Sequence, residues 1–219
     1  VPTGAFVGMG IALIIWFFLS IFAYFAGSKM VLAASGARKI EKQDHPQLFN
    51  VVEEMTIAAG LPKIPDIYII DDPVPNAFAT GRDPDHAAVA ATTGLLQRLN
   101  RDELQGVMAH EVAHVNNRDI LFMTLMGTTV GAVTIIAETF LRTMFYGAIL
   151  GGGSRYRSRS SNEGGGGAQA IMMIIALVLA ILAPILAQMI YFAASRRREY
   201  LADASAAVYT RYPEGLASA

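Results

Sequence analysis

No cysteine occurs among the 219 residues. That excludes disulfides and thiolate metal ligands, so any metal site must be built from His, Asp or Glu. Histidine is scarce as well. Only His45, His86, His110 and His114 are present, and the last two are four residues apart. Charge is thin: Asp, Glu, Lys and Arg make up 16% of the chain, against about 25% in an ordinary soluble domain. The net charge of −1 leaves no basic field to recruit nucleic acid, and no nucleic-acid partner is expected. Apolar residues fill the space, at 53%, with a mean hydropathy of +0.41. No basic stretch precedes the first apolar run, so a secretory signal is not expected. A start at Val1 and an end at Ala219 without a closing element read as an internal piece of a longer protein.

The apolar residues are gathered into runs. Residues 1–28 carry no charge, and about 20 apolar residues suffice for a transmembrane helix. Trp16 and Tyr24 are expected near its interfaces. Residues 120–137 are again uncharged, before Glu138 and Arg142 appear at a spacing that lets them pair on one helix face. Residues 164–195 are uncharged throughout, with Pro184 as an expected kink. Between these runs, residues 151–167 are rich in glycine and arginine and read as a flexible loop. The simplest arrangement is a transmembrane helix over 1–28 and an apolar helical hairpin over 120–195. Lys29, Arg38, Lys39, Lys42, Arg118 and Arg196 to Arg198 flank one side of the spans, and Arg155, Arg157 and Arg159 the other. That bias favours a cytoplasmic location for the first side.

Residues 29–119 have the texture of a folded domain. A helix is expected over 44–59, with Asp44 as N-cap, Pro46 in the first turn and Gly60 as the stop. Leu48, Val51, Val52 and Met55 form its apolar face. Short strands are expected over 65–70, 76–80 and 87–93. Asn100 and Glu103 form a capping box that opens the next helix. The fold class is therefore α+β: a small domain with attached transmembrane helices.

The helix opened by Asn100 carries His110-Glu111-Val112-Ala113-His114. Residues i and i+4 share a face, so both imidazoles can reach one metal ion while Glu111 stands beside it as a base. The alternative is a surface helix with two solvated histidines, which the uncharged Met108, Ala109, Val112, Ala113 and Val115 argue against. Two histidines are not enough, because a catalytic zinc takes three protein ligands and a water. The best third ligand is Glu199, in the helix expected over 196–219. Asp203, on the same face, would sit behind the ligands and orient a histidine. The plainer reading is that both acids only pair with Arg196 to Arg198.

With these residues in view, His110 to Val115 followed by Asn117-Arg118-Asp119 resembles the HtpX family of heat-shock membrane proteases, whose relatives include the CAAX prenyl proteases. Arg196 to Ala204 is similar to that family's second signature, and Pro75 to Gly81 to its segment beside the cleft. The resemblance implies one zinc ion per chain on His110, His114 and Glu199, with Glu111 as the catalytic base. It implies that Asn76, Ala77 and Phe78 lie on an edge strand that pairs with a substrate backbone; an ordinary turn after Pro73 and Pro75 is the alternative. It further implies an integral protein of the inner (plasma) membrane, acting in stress quality control on membrane or misfolded polypeptides. Prenylated substrates are the second option within enzymes. A non-enzymatic membrane scaffold is the option outside them.

Overall fold

The computed structural model describes residues 2–150 and 166–219. Most of the stretch read as a flexible loop therefore lies outside the described residues. The long apolar runs are helices: α1 (Pro2–Ala34), α5 (Asp119–Leu150) and α6 (Gly166–Thr210). Segments Gly10–Ala34, Asp119–Arg142 and Ile171–Thr210 are long and apolar enough to cross a membrane. The chain divides into two compact units. One holds much of the apolar length of these helices, and the other comprises Phe18–Met126 and Ala193–Ala219.

In the apolar unit, the Trp16 indole N–H donates to Thr129 Oγ1 of α5 at 3.3 Å. The pair Glu138 and Arg142 forms, at 3.6 Å. Helix α6 runs on through Pro184.

The second unit is built on a four-stranded sheet, with β1 (Arg38–Lys39), β2 (Asp66–Ile70), β3 (Ala77–Gly81) and β4 (Ala87–Thr92) in the order β1-β2-β4-β3. β2 and β4 are parallel, the other pairs antiparallel, and β3 is an edge. Side chains alternate across a sheet. Ile67, Val89 and Ala91 face one core with Leu48, Val51 and Val52 of α2 (Pro46–Ala59) and with Leu104 and Met108 of α4 (Arg101–Asn116). Ile70, Ala88 and Ala90 face a smaller cluster with Leu32 near the end of α1. β4 is thus buried at every residue, which explains its run of small apolar side chains. Each fully buried Leu or Val contributes about 1.5–3 kcal/mol by leaving water.

Local signals explain the helix ends. Asn100 accepts from the N–H groups of Asp102 and Glu103, and Glu103 returns the bond to Asn100 N–H. Gly60 ends α2 at φ 69°, a left-handed conformation that glycine takes without steric cost. The start of α2 differs from expectation. The cap is His45, whose Nδ1 accepts from Leu48 N–H at 3.2 Å, while Asp44 bonds back to Glu41 N–H. With Pro46 as the first helical residue, the cap must be the residue before it.

Helix α7 (Pro213–Ser218) crosses α4 backbone to backbone. A Cβ on Gly106 would lie 2.5 Å from Leu216 N. Alanine usually gains about 1 kcal/mol over glycine in a helix. Here the obstacle is backbone that cannot rotate away, and overpacking of this kind costs about 1–3 kcal/mol. Gly106→Ala is therefore expected to lower the thermal midpoint, and a raised midpoint would contradict this crossing.

Candidate active site

The site is assembled by two helices. On α4, Leu104, Met108, Glu111, Val112 and Val115 are buried and hold the helix against the sheet and α2. That orientation leaves His110 and His114 half-buried on the neighbouring face, one turn apart. On α6, Ala202 and Ala206 are fully buried, Ala206 against Ala109 and Val112. Glu199 precedes these alanines by three and seven residues, so the helical period places it on the face turned to α4. Alanine is what lets the two helices come close. Asn116 ties the corner, donating to Ala59 O at 3.2 Å and Tyr209 Oη at 3.0 Å.

Three ligand atoms converge as a result. His110 Nε2 and His114 Nε2 are 3.1 Å apart. Glu199 Oε2 is 3.3 Å from the first and 3.7 Å from the second. Zinc bonds of 2.0–2.1 Å in a tetrahedron place ligand atoms roughly 3.3 Å apart. Among the described residues this is the group of three or more His or acidic side chains able to hold a metal ion. The far ring nitrogens also face carboxylates. His114 Nδ1 is 2.9 Å from Asp119 Oδ2, and His110 Nδ1 is 2.9 Å from Asp203 Oδ1. A ring that donates from Nδ1 presents a lone pair at Nε2. His114, donating from Nδ1 to Asp119, presents its Nε2 lone pair to the centre of the group, and the spacing of the three ligand atoms fits a zinc ion.

The two carboxylate contacts differ. Asp119 is 3% exposed and well aligned as acceptor, and it also accepts from Arg198 NH1 at 3.0 Å. Asp203 is an exposed side chain, and its short contact is out of line for a hydrogen bond, leaving the buried Nδ1 of His110 without an aligned partner. Glu199 and Asp203 therefore meet the histidines, not Arg196 to Arg198.

Glu111 points to the sheet side of the site. Burial raises its carboxyl to about 7, with the nearby Glu199 charge acting in the same direction; His110 and a hydrogen bond from Ala79 N–H oppose this. That bond fixes how the edge strand is presented. Asn76 O accepts from Thr92 N–H, so Asn76 and then alternate residues turn their backbone to β4. Ala77, Ala79 and Gly81 turn theirs outward, and Asn76 itself is exposed.

The sequence profile of Peptidase family M48 matches residues 42–219, which takes in strands β2 to β4, both site helices and every residue of the site. The chain belongs to peptidase family M48. Among M48 relatives, it is 46% identical over 213 residues to a protein named Protease HtpX homolog from Dictyoglomus turgidum, covering 97% of this chain and 65% of that one. It is also 46% identical to a protein of the same name from Tropheryma whipplei (strain Twist), covering 99% of this chain and 70% of that one. The chain thus spans about two thirds of these relatives' length. Its fold is similar to the crystal structure of S. mikatae Ste24p, with a TM-score of 0.53 and 22% identity, over 91% of this chain and 47% of that one. With its three apolar helices, this M48 chain is an integral membrane protein.

Two features of the M48 site were not legible as such in the sequence. Asp119 stands at the start of an apolar run, which signals a membrane boundary rather than a partner for His114. Arg198 is bonded to Asp119 and stacked over Phe122, with its guanidinium carbon 4.3 Å from the ring centre. His45 and His86 take no part: one caps α2, and the other pairs with Asp83 at 2.7 Å.

Proposed function

We propose that this chain is a zinc-dependent endopeptidase that hydrolyses peptide bonds in membrane or misfolded polypeptides. The observation that carries the reading is the convergence of His110 Nε2, His114 Nε2 and Glu199 Oε2 within 3.1–3.7 Å beside the buried Glu111. Zinc held by these three residues would acidify a water toward a pKa of about 7 and polarise the scissile carbonyl. Glu111 would take a proton from the attacking water and return it to the leaving amine. A carboxyl poised near neutral pH suits both transfers. Asp119 holds the far nitrogen of His114, and the Asp203 carboxylate lies beside that of His110. The outward backbone of Ala77 and the Ala79 carbonyl offer an extended peptide a strand to pair with, while the exposed amide of Asn76 and the Phe78 segment complete the binding edge.

Helix α6 carries Glu199 only four residues beyond Ser195, about 6 Å along the axis from the uncharged run. The site therefore belongs at a membrane surface, and the basic residues on its side favour the cytoplasmic face of the inner membrane. Prenylated tails are the second substrate class. They would suit the CAAX prenyl protease branch that the sequence motifs resemble.

The test is metal removal. Chelated protein in detergent should lose cleavage of an unmodified membrane protein, and one equivalent of zinc should restore it. Faster cleavage of a prenylated peptide than of its unmodified form would move the assignment to the second class. A chain that takes up no zinc and cleaves neither would be a scaffold.

A further inference from the structure

The alanines that bring α6 against α4 allow close approach but set little direction, because small apolar side chains slide easily past one another. Something else must fix the rotation of α6, since Glu199 reaches the histidines only if its face is held toward them. The polar contact nearest to Glu199 along the chain is that of Arg198. Its NH1 donates to Asp119 Oδ1 at 3.0 Å, and its guanidinium lies 4.3 Å over Phe122. Asp119 and Phe122 are three residues apart in the first turn of α5, so one helix face offers both an anion and an aromatic ring.

Asp119 is the joint of this arrangement. Its other oxygen accepts from His114 Nδ1 at 2.9 Å. It can face backward onto His114 because the corner between α4 and α5 is tight. Asn117 closes α4 and Arg118 takes φ 55°, a left-handed conformation uncommon outside glycine, with its N–H on Val115 O. A carboxylate 3% exposed is tolerable only when both oxygens are paired, and here both are.

Resting on the reading of the site as a zinc centre, we propose that Asp119 and Arg198 form a latch that positions two ligands at once. Asp119 sets the tautomer and ring orientation of His114. Through Asp119, Arg198 fixes the rotation of α6 and hence the approach of Glu199. Neither latch residue touches the metal or the substrate, so both are positioning residues. The alanine packing sets how close the two helices come, and the directional hydrogen bonds set the rotation that aims Glu199.

The test compares the 219-residue chain in detergent with Asp119→Asn, Arg198→Met and the double variant. The readouts are zinc affinity, by competition with a chromophoric chelator, and the thermal midpoint of the metal-free protein. Asp119→Asn should weaken zinc binding by about 10–100-fold, the range for groups that hold a ligand. Arg198→Met should weaken it by about tenfold, although it leaves every ligand and Asp119 in place. The double variant should bind no more weakly than the worse single variant, since both break the same latch. Affinities within threefold of wild type overturn the proposal, even if the midpoint falls, because that is the mark of a merely structural pair. Full additivity of the two losses also overturns it. If Asp119→Asn does not fold, Arg198→Met decides alone on the same criterion. Wild type that takes up no zinc removes the reading of the site itself, an outcome distinct from wild type and variants binding equally well.

Discussion

Glu111→Gln is expected to leave zinc uptake intact and to lower peptide hydrolysis by about 10²–10⁴-fold, the usual contribution of a positioned acid–base group. The amide keeps the shape and can accept from Ala79 N–H, but it cannot take a proton from water. Turnover surviving in the metal-replete variant would remove Glu111 from the mechanism. The same substitution has an opposite effect on stability. Glu111 is 9% exposed, and burial raises its carboxyl from 4.5 in the unfolded chain to about 7 in the fold. A group raised in this way favours the fold fully while it is protonated in both states. That contribution is lost as pH rises from about 4.5 to about 7, because the unfolded chain ionises first. At about 1.4 kcal/mol per pH unit, metal-free wild type should lose roughly 3 kcal/mol across this window. Glu111→Gln should lose none of it. The difference in thermal midpoint between variant and wild type, both metal-free, should therefore be larger at pH 8 than at pH 5. A pH-independent difference would contradict the buried placement of Glu111.

Glu199→Ala should cost the protein its metal. Structural zinc sites bind with roughly 10–16 kcal/mol of apparent free energy. Shared over three protein ligands, one is worth about 4 kcal/mol, or about a thousandfold in affinity. The fold should survive, because Glu199 is an exposed side chain and the contacts that dock α6 are made by Ala202, Ala206, Tyr209 and Asn116. Zinc competition and a thermal melt of the metal-free variant separate the two effects. Undiminished zinc content would return Glu199 to the plainer role of a surface acid. The contrast with Glu111→Gln is diagnostic: one variant keeps metal without chemistry, the other loses both.

The sequence by itself determined the local pieces. His110 and His114 share a face because the helical period is 3.6, and no tertiary contact can alter that. Asn100 with Glu103, Gly60, and the strands near Ile67, Phe78 and Val89 were legible for the same reason: each signal acts within a few residues. The three apolar helices followed from length and composition alone. Glu199 was legible only as a candidate, since nothing in the 84 residues between it and His114 states where a second helix comes to rest. Tertiary structure decided that, through Ala202 and Ala206, which bring α6 against α4. It also decided the role of Asp119, which depends on one left-handed residue, Arg118, turning the chain back on His114. It placed Ala79 N–H on Glu111 and made β3 an edge. Periodicity and capping are short-range and can be read in one dimension. The approach of two helices and the aim of a buried carboxylate are set by packing, which a single chain order does not state.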